Sequence, residues 1–232
     1  MSNLNTKLIE ACELGKVYRT KILIEKGANV NTREPWNKDT VLMIASKHGR
    51  LEIVERLIDA KAKVNDKNKY KETALTYACF EGHLKIAGLL IDAKAKVNIQ
   101  DVDDNTALHY ACLFGYLKIA ELLINAKAKI NAQDKNGKTA LMLACQYYHP
   151  KTAKMLIDKR ADVNIKNECD ATALMYACEN GYAEIVKLLK DAGANLDDKN
   201  EDGKTALDLA KERKHLKIAN MLIDAGATEE LN

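Results

Sequence analysis

Six cysteines and five histidines are the residues of this chain best suited to chemistry. Thiolate and imidazole are the ligands zinc prefers, and a Cys with a nearby His can also form a nucleophile and its base. Five of the thiols, Cys12, Cys79, Cys112, Cys145 and Cys178, occur near-periodically, the last four at intervals of 33 residues. His109 stands three residues before Cys112, and His149 four after Cys145. Two further segments, Asn136-Gly137-Lys138-Thr139 and Asp202-Gly203-Lys204-Thr205, resemble the end of a phosphate-binding loop.

None of these leads assembles a reaction centre. The metal reading lacks a CxxC or HExxH pattern, and the phosphate-loop reading lacks its upstream glycines, where Ala132 and Asp198 stand instead. Ser2 and Ser46 are the only serines, one terminal and one at a position expected to pack, which removes a serine nucleophile. His83, His149 and His215 share one place at the start of a helix and form no acid/base pair. The expectation is therefore no catalytic residues, no metal and no cofactor.

What positions these residues is an internal repeat. Thr40, Thr73, Thr106, Thr139, Thr172 and Thr205 are 33 apart, each followed two residues later by Leu and five later by Ala. Gly49, Gly82, Gly115 and Gly181 keep the same beat, as do Asn65, Asn98, Asn131 and Asn164. The period divides the chain into units 1–34, 35–67, 68–100, 101–133, 134–166, 167–199 and 200–232, with the first one residue out of step, and leaves nothing for a separate domain. Within 68–100, Thr73 is placed to cap a helix with Leu75, Ala78 and Cys79 on its apolar face. Gly82 breaks it, and a second helix follows with Leu84, Ile86, Ala87, Leu90 and Ile91 on one face. An extended Val97-Asn98 and a polar turn complete the unit. Two short helices cannot bury their own apolar flanks, so the units must stack.

Asp101 to Cys112, DVDDNTALHYAC, and Asp134 to Cys145, DKNGKTALMLAC, resemble the ankyrin repeat motif, and the resemblance extends over the whole chain in seven units. It implies an all-α solenoid of helix-turn-helix units joined by β-hairpin loops, whose hairpin tips and first helices line a concave face that binds partner proteins. Departures from the motif are specific. Ala74, Ala107, Ala140, Ala173, Ala206 and Val41 replace the motif proline. Gly27, Gly193 and Gly226 persist after the second helix, but Lys61, Lys94, Lys127 and Arg160 take that place elsewhere, at about 1 kcal/mol each if the backbone stays left-handed. In the fifth unit Tyr148 takes the central glycine's place, followed by His149 and Pro150, which puts the local geometry in question. Stacked helices roughly 8–10 Å apart cannot bring the recurring cysteines within the roughly 7 Å a disulfide needs, so these thiols are expected reduced and packed in the core. Cys169, in a hairpin loop, is expected at the surface.

The aromatic side chains are the one feature the repeat does not demand. Trp36, Tyr70, Tyr77, Phe80, Tyr110, Phe114, Tyr147 and Tyr176 fall on tips or first helices, which the resemblance turns to the concave face. Phe80, Leu113, Phe114 and Tyr147 end their helices where other units carry Lys47, His48, Glu179, Asn180, Glu212 and Arg213. Tyr77, Tyr110 and Tyr176 share one position and fit half-buried packing residues with hydroxyls in water. The candidate partner-binding set is Trp36, Tyr70, Phe80, Tyr110, Leu113, Phe114 and Tyr147. An alternative anion-binding ridge is formed by Lys61, Lys63, Lys94, Lys96, Lys127 and Lys129, which loops at helix ends also carry for solubility.

Charge narrows the partners. Lys and Arg number 36 against 33 Asp and Glu, for a net +3 with both signs interleaved, which gives no electrostatic footprint for nucleic acid. No apolar run approaches the roughly 20 residues that cross a bilayer, and the start lacks a signal-peptide pattern. The polar run Lys211 to His215 suits an outward end of the stack. The sequence thus predicts a cytoplasmic, monomeric, non-catalytic module that binds a protein, without nucleic acid or membrane.

Overall fold

The capping threonines set the start of each unit's first helix. In the computed structural model, which describes residues 2–228, the Thr40 hydroxyl accepts from the Met43 N–H at 3.2 Å and Thr73 from Thr76 at 3.2 Å. Thr139, Thr172 and Thr205 do the same at 3.3, 3.4 and 3.2 Å. At Thr106 the motif histidine shares this task. Its Nδ1 accepts from the Thr106 N–H at 3.1 Å and lies 2.9 Å from the Thr106 hydroxyl. Each such cap satisfies a helix N–H that would otherwise lack a partner, worth about 1 kcal/mol.

The first helices of the successive pairs are α1 (Ser2–Glu13), α3 (Val41–Lys47), α5 (Ala74–Phe80), α7 (Ala107–Leu113), α9 (Ala140–Gln146), α11 (Ala173–Glu179) and α13 (Ala206–Glu212). Their partners are α2 (Val17–Glu25), α4 (Leu51–Asp59), α6 (Leu84–Asp92), α8 (Leu117–Asn125), α10 (Pro150–Asp158), α12 (Ala183–Asp191) and α14 (Leu216–Asp224). The first helices α3, α5, α9 and α11 are almost wholly buried, while α13 buries only Ala206, Leu207 and Ala210; the second helices bury one stripe, Ile86, Ala87 and Leu90 in α6, with Leu84 exposed at its start. Leu84 is therefore absent from the buried stripe of the face that periodicity assigned to it.

The hairpin loops contain little β-structure. Among the described residues there are two isolated bridges, Arg33 to Thr40 and Gln133 to Thr139. Val97 and Asn98 lie in a turn, not in extended backbone. Side-chain amides take over the pairing there. Asn65 accepts from the Lys96 N–H at 2.7 Å and donates to the Lys94 carbonyl at 3.1 Å, and Asn164 bonds Asn195 N–H and the Gly193 carbonyl likewise. The repeating Asn is thus the stitch between one unit and the next.

Backbone strain also repeats. Lys61, Lys94, Lys127 and Arg160 adopt φ of 64, 67, 68 and 64°, so these non-glycine residues keep the left-handed conformation of Gly27, Gly193 and Gly226. Tyr148 does so as well, at 57°, and the fifth pair retains the geometry of the others.

Two compact units emerge, Met1–Ala111 with Glu121–Ala128 and Cys112–Ala120 with Lys129–Asn232. In the first, α1, α3 and α5 pack side by side, as do α2, α4 and α6. In the second, α9, α11 and α13 form one layer and α10, α12 and α14 the other. Each layer buries the flank its neighbour leaves open, which is the stacking the sequence requires.

Candidate functional site

The thiols go to the core. Cys12, Cys79, Cys112, Cys145 and Cys178 are free and buried, and burial pushes their pKa up from 9.0, to about 12 at Cys12 and Cys178. A protonated, water-excluded thiol is neither a nucleophile nor a ready ligand. Cys169 is exposed on a tip, where the hydrogen bond its thiol donates to the Glu201 carboxylate raises its pKa. Among the described residues no three His, Cys, Asp or Glu come together as metal ligands.

The histidines that start second helices act between repeats. His149 Nε2 lies 2.9 Å from the Leu113 carbonyl, His215 Nε2 3.2 Å from that of Glu179, and His83 Nε2 3.2 Å from that of Lys47. Each ring thereby occupies an orphan carbonyl at the end of the preceding first helix. The ring also fills the space over the central glycine. A Cβ at Gly115 would sit 2.3 Å from His149 Nδ1. Where Tyr148 replaces that glycine, the residue one repeat on is Tyr182 rather than histidine, and the two rings meet at 4.7 Å, tilted by 45°.

Two tips of the first unit are braced by internal hydrogen bonds. The Glu34 carboxylate is partly buried, yet it accepts from the N–H groups of Trp36 (2.7 Å), Asn37 (2.5 Å) and Asp39 (3.1 Å), which hold its pKa below the ordinary 4.5. Asn68 performs the same service on the next tip, accepting from Tyr70 and Glu72, both at 2.9 Å. Backbone bonds run from tip to tip, Lys69 N–H to the Asn37 carbonyl at 2.9 Å and Val102 N–H to that of Tyr70 at 3.0 Å. Trp36, 81% exposed, and Tyr70, 43% exposed, are displayed on this frame.

Phe80 and Phe114 are exposed by 40% and 39% at the ends of α5 and α7. Phe80 meets Tyr110 edge-on at 5.4 Å in the first unit, and Phe114 meets Tyr116 at 5.8 Å in the second. Tyr147 is exposed and Leu113 half-buried, both in the second unit. The tyrosines at the shared repeat position differ from expectation: their hydroxyls are not in water. Tyr77 donates to Asp39 at 3.2 Å, Tyr110 to Asp101 at 2.5 Å, and the Tyr176 oxygen accepts from Asn167 at 3.0 Å. Desolvation and the adjacent carboxylates push the pKa of Tyr77 and Tyr110 upward. These rings lock helix to hairpin, so Tyr110 has a structural role whatever else it touches.

Side chains outside the sequence-derived set share this exposure: Val102, two periods after Trp36, and Tyr148 in the glycine position. Repeat register was the available signal for Val102; for Tyr148 it was the loss of glycine. The alternative lysines Lys61, Lys63, Lys94, Lys96, Lys127 and Lys129 are all exposed. Their loop backbones are tied by the Asn stitch.

Stacked helix pairs that display braced tips and exposed aromatic side chains define a repeat scaffold. The chain belongs to the ankyrin repeat family, whose model, described as ankyrin repeats in three copies, matches residues 8–101, 89–167 and 161–232. A crystal structure of the human ASB11 ankyrin repeat domain is similar with a TM-score of 0.84 and 28% identity, over 96% of this chain and 98% of that one. The Ankyrin repeat and KH domain-containing protein mask of Drosophila melanogaster is 40% identical over 65 residues, which is 28% of this chain and only 2% of that protein's length. Ankyrin repeats are in general protein–protein interaction scaffolds without enzymatic activity. Among the described residues no helix is long and apolar enough to cross a membrane.

Proposed function

We propose that this chain is a non-catalytic binding module that binds partner protein at the hairpin tips and first-helix ends of each of its two units. The anchors are Trp36, Tyr70, Phe80 and Tyr110 in the first unit and Leu113, Phe114 and Tyr147 in the second. The observation that carries the reading is the exposure of Phe80, Phe114 and Tyr147 where other units place Lys47, Glu179, Glu212 or Arg213. The repeat does not require large aromatic side chains at those places, and aromatic anchors dominate protein interfaces. The proposed setting is a monomer in the reducing cytoplasm, which suits six unpaired thiols. Nucleic acid and membrane are not among the proposed partners.

Selection of a random displayed peptide library against the whole chain tests this. The expected result is enriched peptides whose affinity falls at least about tenfold, or 1.4 kcal/mol, on Phe80→Ala with Phe114→Ala. The same variant should melt within a few degrees of the parent, since each ring contributes only a partial aromatic contact. Peptides bound equally by parent and variant, or a collapse in melting temperature, would overturn the reading.

A further inference from the structure

Where the hairpins of the first unit meet its first helices, negative charge is held next to exposed aromatic surface. Asp39 and Asp101 are 6% and 4% exposed, and Glu72 is half-buried. Every donor that bonds these three carboxylates is neutral. The Asn68 amide reaches both Asp39, at 2.7 Å, and Glu72, at 2.8 Å, and the Tyr77 hydroxyl donates to Asp39 at 3.2 Å. Asp101 accepts from the N–H groups of Asp103 and Asn105 at 2.9 and 3.0 Å, and from the Tyr110 hydroxyl at 2.5 Å. Neutral donors order a carboxylate and leave its charge in place. That charge reaches both tyrosines: after burial itself, Asp39 and Glu72 raise the pKa of Tyr77, and Asp101, Glu72 and Asp103 raise that of Tyr110. Phe80, 40% exposed, meets Tyr110 edge-on at 5.4 Å. One cation of the chain itself already occupies this setting, the Lys47 ammonium 5.3 Å from the Tyr77 ring centroid. The lysines of the tips do not reverse the sign. With Lys47 included, residues 34–39, 67–72, 80–81 and 101–105 hold seven carboxylates against five ammonium groups.

We infer that this part of the first unit docks a basic segment of the partner protein, an arginine side chain lying against Phe80 and Tyr110 with its guanidinium turned to Glu72. This rests on the protein-binding reading above and specifies the partner's chemistry at one part of that surface. Arginine fits better than lysine, because a guanidinium is planar and weakly hydrated, stacks on aromatic rings and presents its N–H fork to a carboxylate. Charges set back from solvent are screened less by salt than exposed ones. That separates Asp39, Glu72 and Asp101 from Glu168, Asp170, Glu201 and Asp202 on the tips of the second unit, all of which are exposed. The acceptors are also held in place before any partner arrives, so little entropy is lost in ordering them. An acidic segment or a phosphate chain would bring like charge against the same three anions.

The test is fluorescence anisotropy of a labelled twelve-residue peptide of Gly and Ser with three arginines and a central Leu, titrated with the whole chain. It is run beside counterparts in which citrulline, lysine or glutamate replaces arginine. The arginine peptide should bind at least about tenfold more tightly than the citrulline and glutamate peptides, more tightly than the lysine peptide, and weaken as salt rises. Glu72→Gln, which keeps an acceptor for Asn68, should reduce affinity at least about fivefold, and Phe80→Ala at least about tenfold. Both variants should melt within a few degrees of the parent. Glu168→Gln with Glu201→Gln should leave the affinity unchanged. Equal binding of the citrulline peptide, tighter binding of the lysine or glutamate peptide, insensitivity to Glu72→Gln, or an equal loss in the Glu168 and Glu201 variant would overturn the inference. If it fails while library-selected peptides still depend on Phe80 and Phe114, only the basic character of the partner falls; if those also fail, the binding reading falls with it.

Discussion

At the scale of single residues, side chains that looked reactive are structural, and their structural roles are measurable. Five thiols are buried and protonated while Cys169 is exposed. One thiol per chain should react rapidly with a disulfide reagent in native conditions, and six in denaturant. The raised thiol pKa values also fix a pH dependence. Below about pH 9 the thiol is protonated in both folded and unfolded chains, and its contribution is fully present. As pH rises toward about 12 the unfolded thiols ionise while Cys12 and Cys178 resist, so stability is lost across that window. Melting temperature followed from pH 7 to 11 should be flat and then fall. Gly115 offers a sharper test. Gly115→Ala meets both a φ of 68° and the His149 ring, whereas Gly193→Ala meets a φ of 82° and nothing within 4 Å. Both variants lose about 1 kcal/mol through the backbone, and Gly115→Ala should lose about 1–3 kcal/mol more. Combining it with His149→Ala should recover part of that excess in equilibrium unfolding.

At the scale of elements, what reads directly from the sequence is whatever recurs. Thr73 and its equivalents announce helix starts, and the 33-residue beat places both helices of each pair, because caps and apolar stripes are local signals. Contacts between units are less legible. That Tyr110 turns its hydroxyl to Asp101, or that His149 reaches the Leu113 carbonyl, depends on how one unit seats against the next or how a hairpin folds back on its helix, and no local propensity encodes that. The turn at Val97-Asn98 differs from the extended backbone expected there for the same reason: the stretch is held from the side by Asn side chains of the preceding unit, as Asn65 holds Lys94 and Lys96. Of the candidate site, exposure of Trp36, Tyr70, Phe80, Phe114 and Tyr147 followed from mismatch with the repeat, while the bracing of the tip beneath Trp36 depends on Glu34, which no pattern singled out. The left-handed lysines give an element-level prediction. Lys61→Gly, Lys94→Gly and Arg160→Gly should each stabilise the fold by about 1 kcal/mol, because glycine alone enters that conformation without a Cβ clash. In a molecule of this size each step would raise the melting point by about 2–4 °C.

At the scale of the whole molecule, the chain devotes its periodic positions to stacking and its aperiodic ones to recognition. A net charge of +3 on 232 residues conceals local contrast. Lys38, Lys69 and Lys71 gather on two tips, whereas Glu168, Asp170, Glu201 and Asp202 gather on two tips of the second unit. A scaffold built of near-identical modules gains selectivity from such differences, since the repeated framework is the same for every partner. The central claim is that partner protein binds at the tips and first-helix ends of each unit. Hydrogen–deuterium exchange of the chain, alone and saturated with a library-selected peptide, tests it most directly. The account predicts slowed exchange at residues 34–39, 69–72 and the ends of α5 and α7. Protection confined to the second helices, or to the loops bearing Lys61 and Lys94, would contradict it.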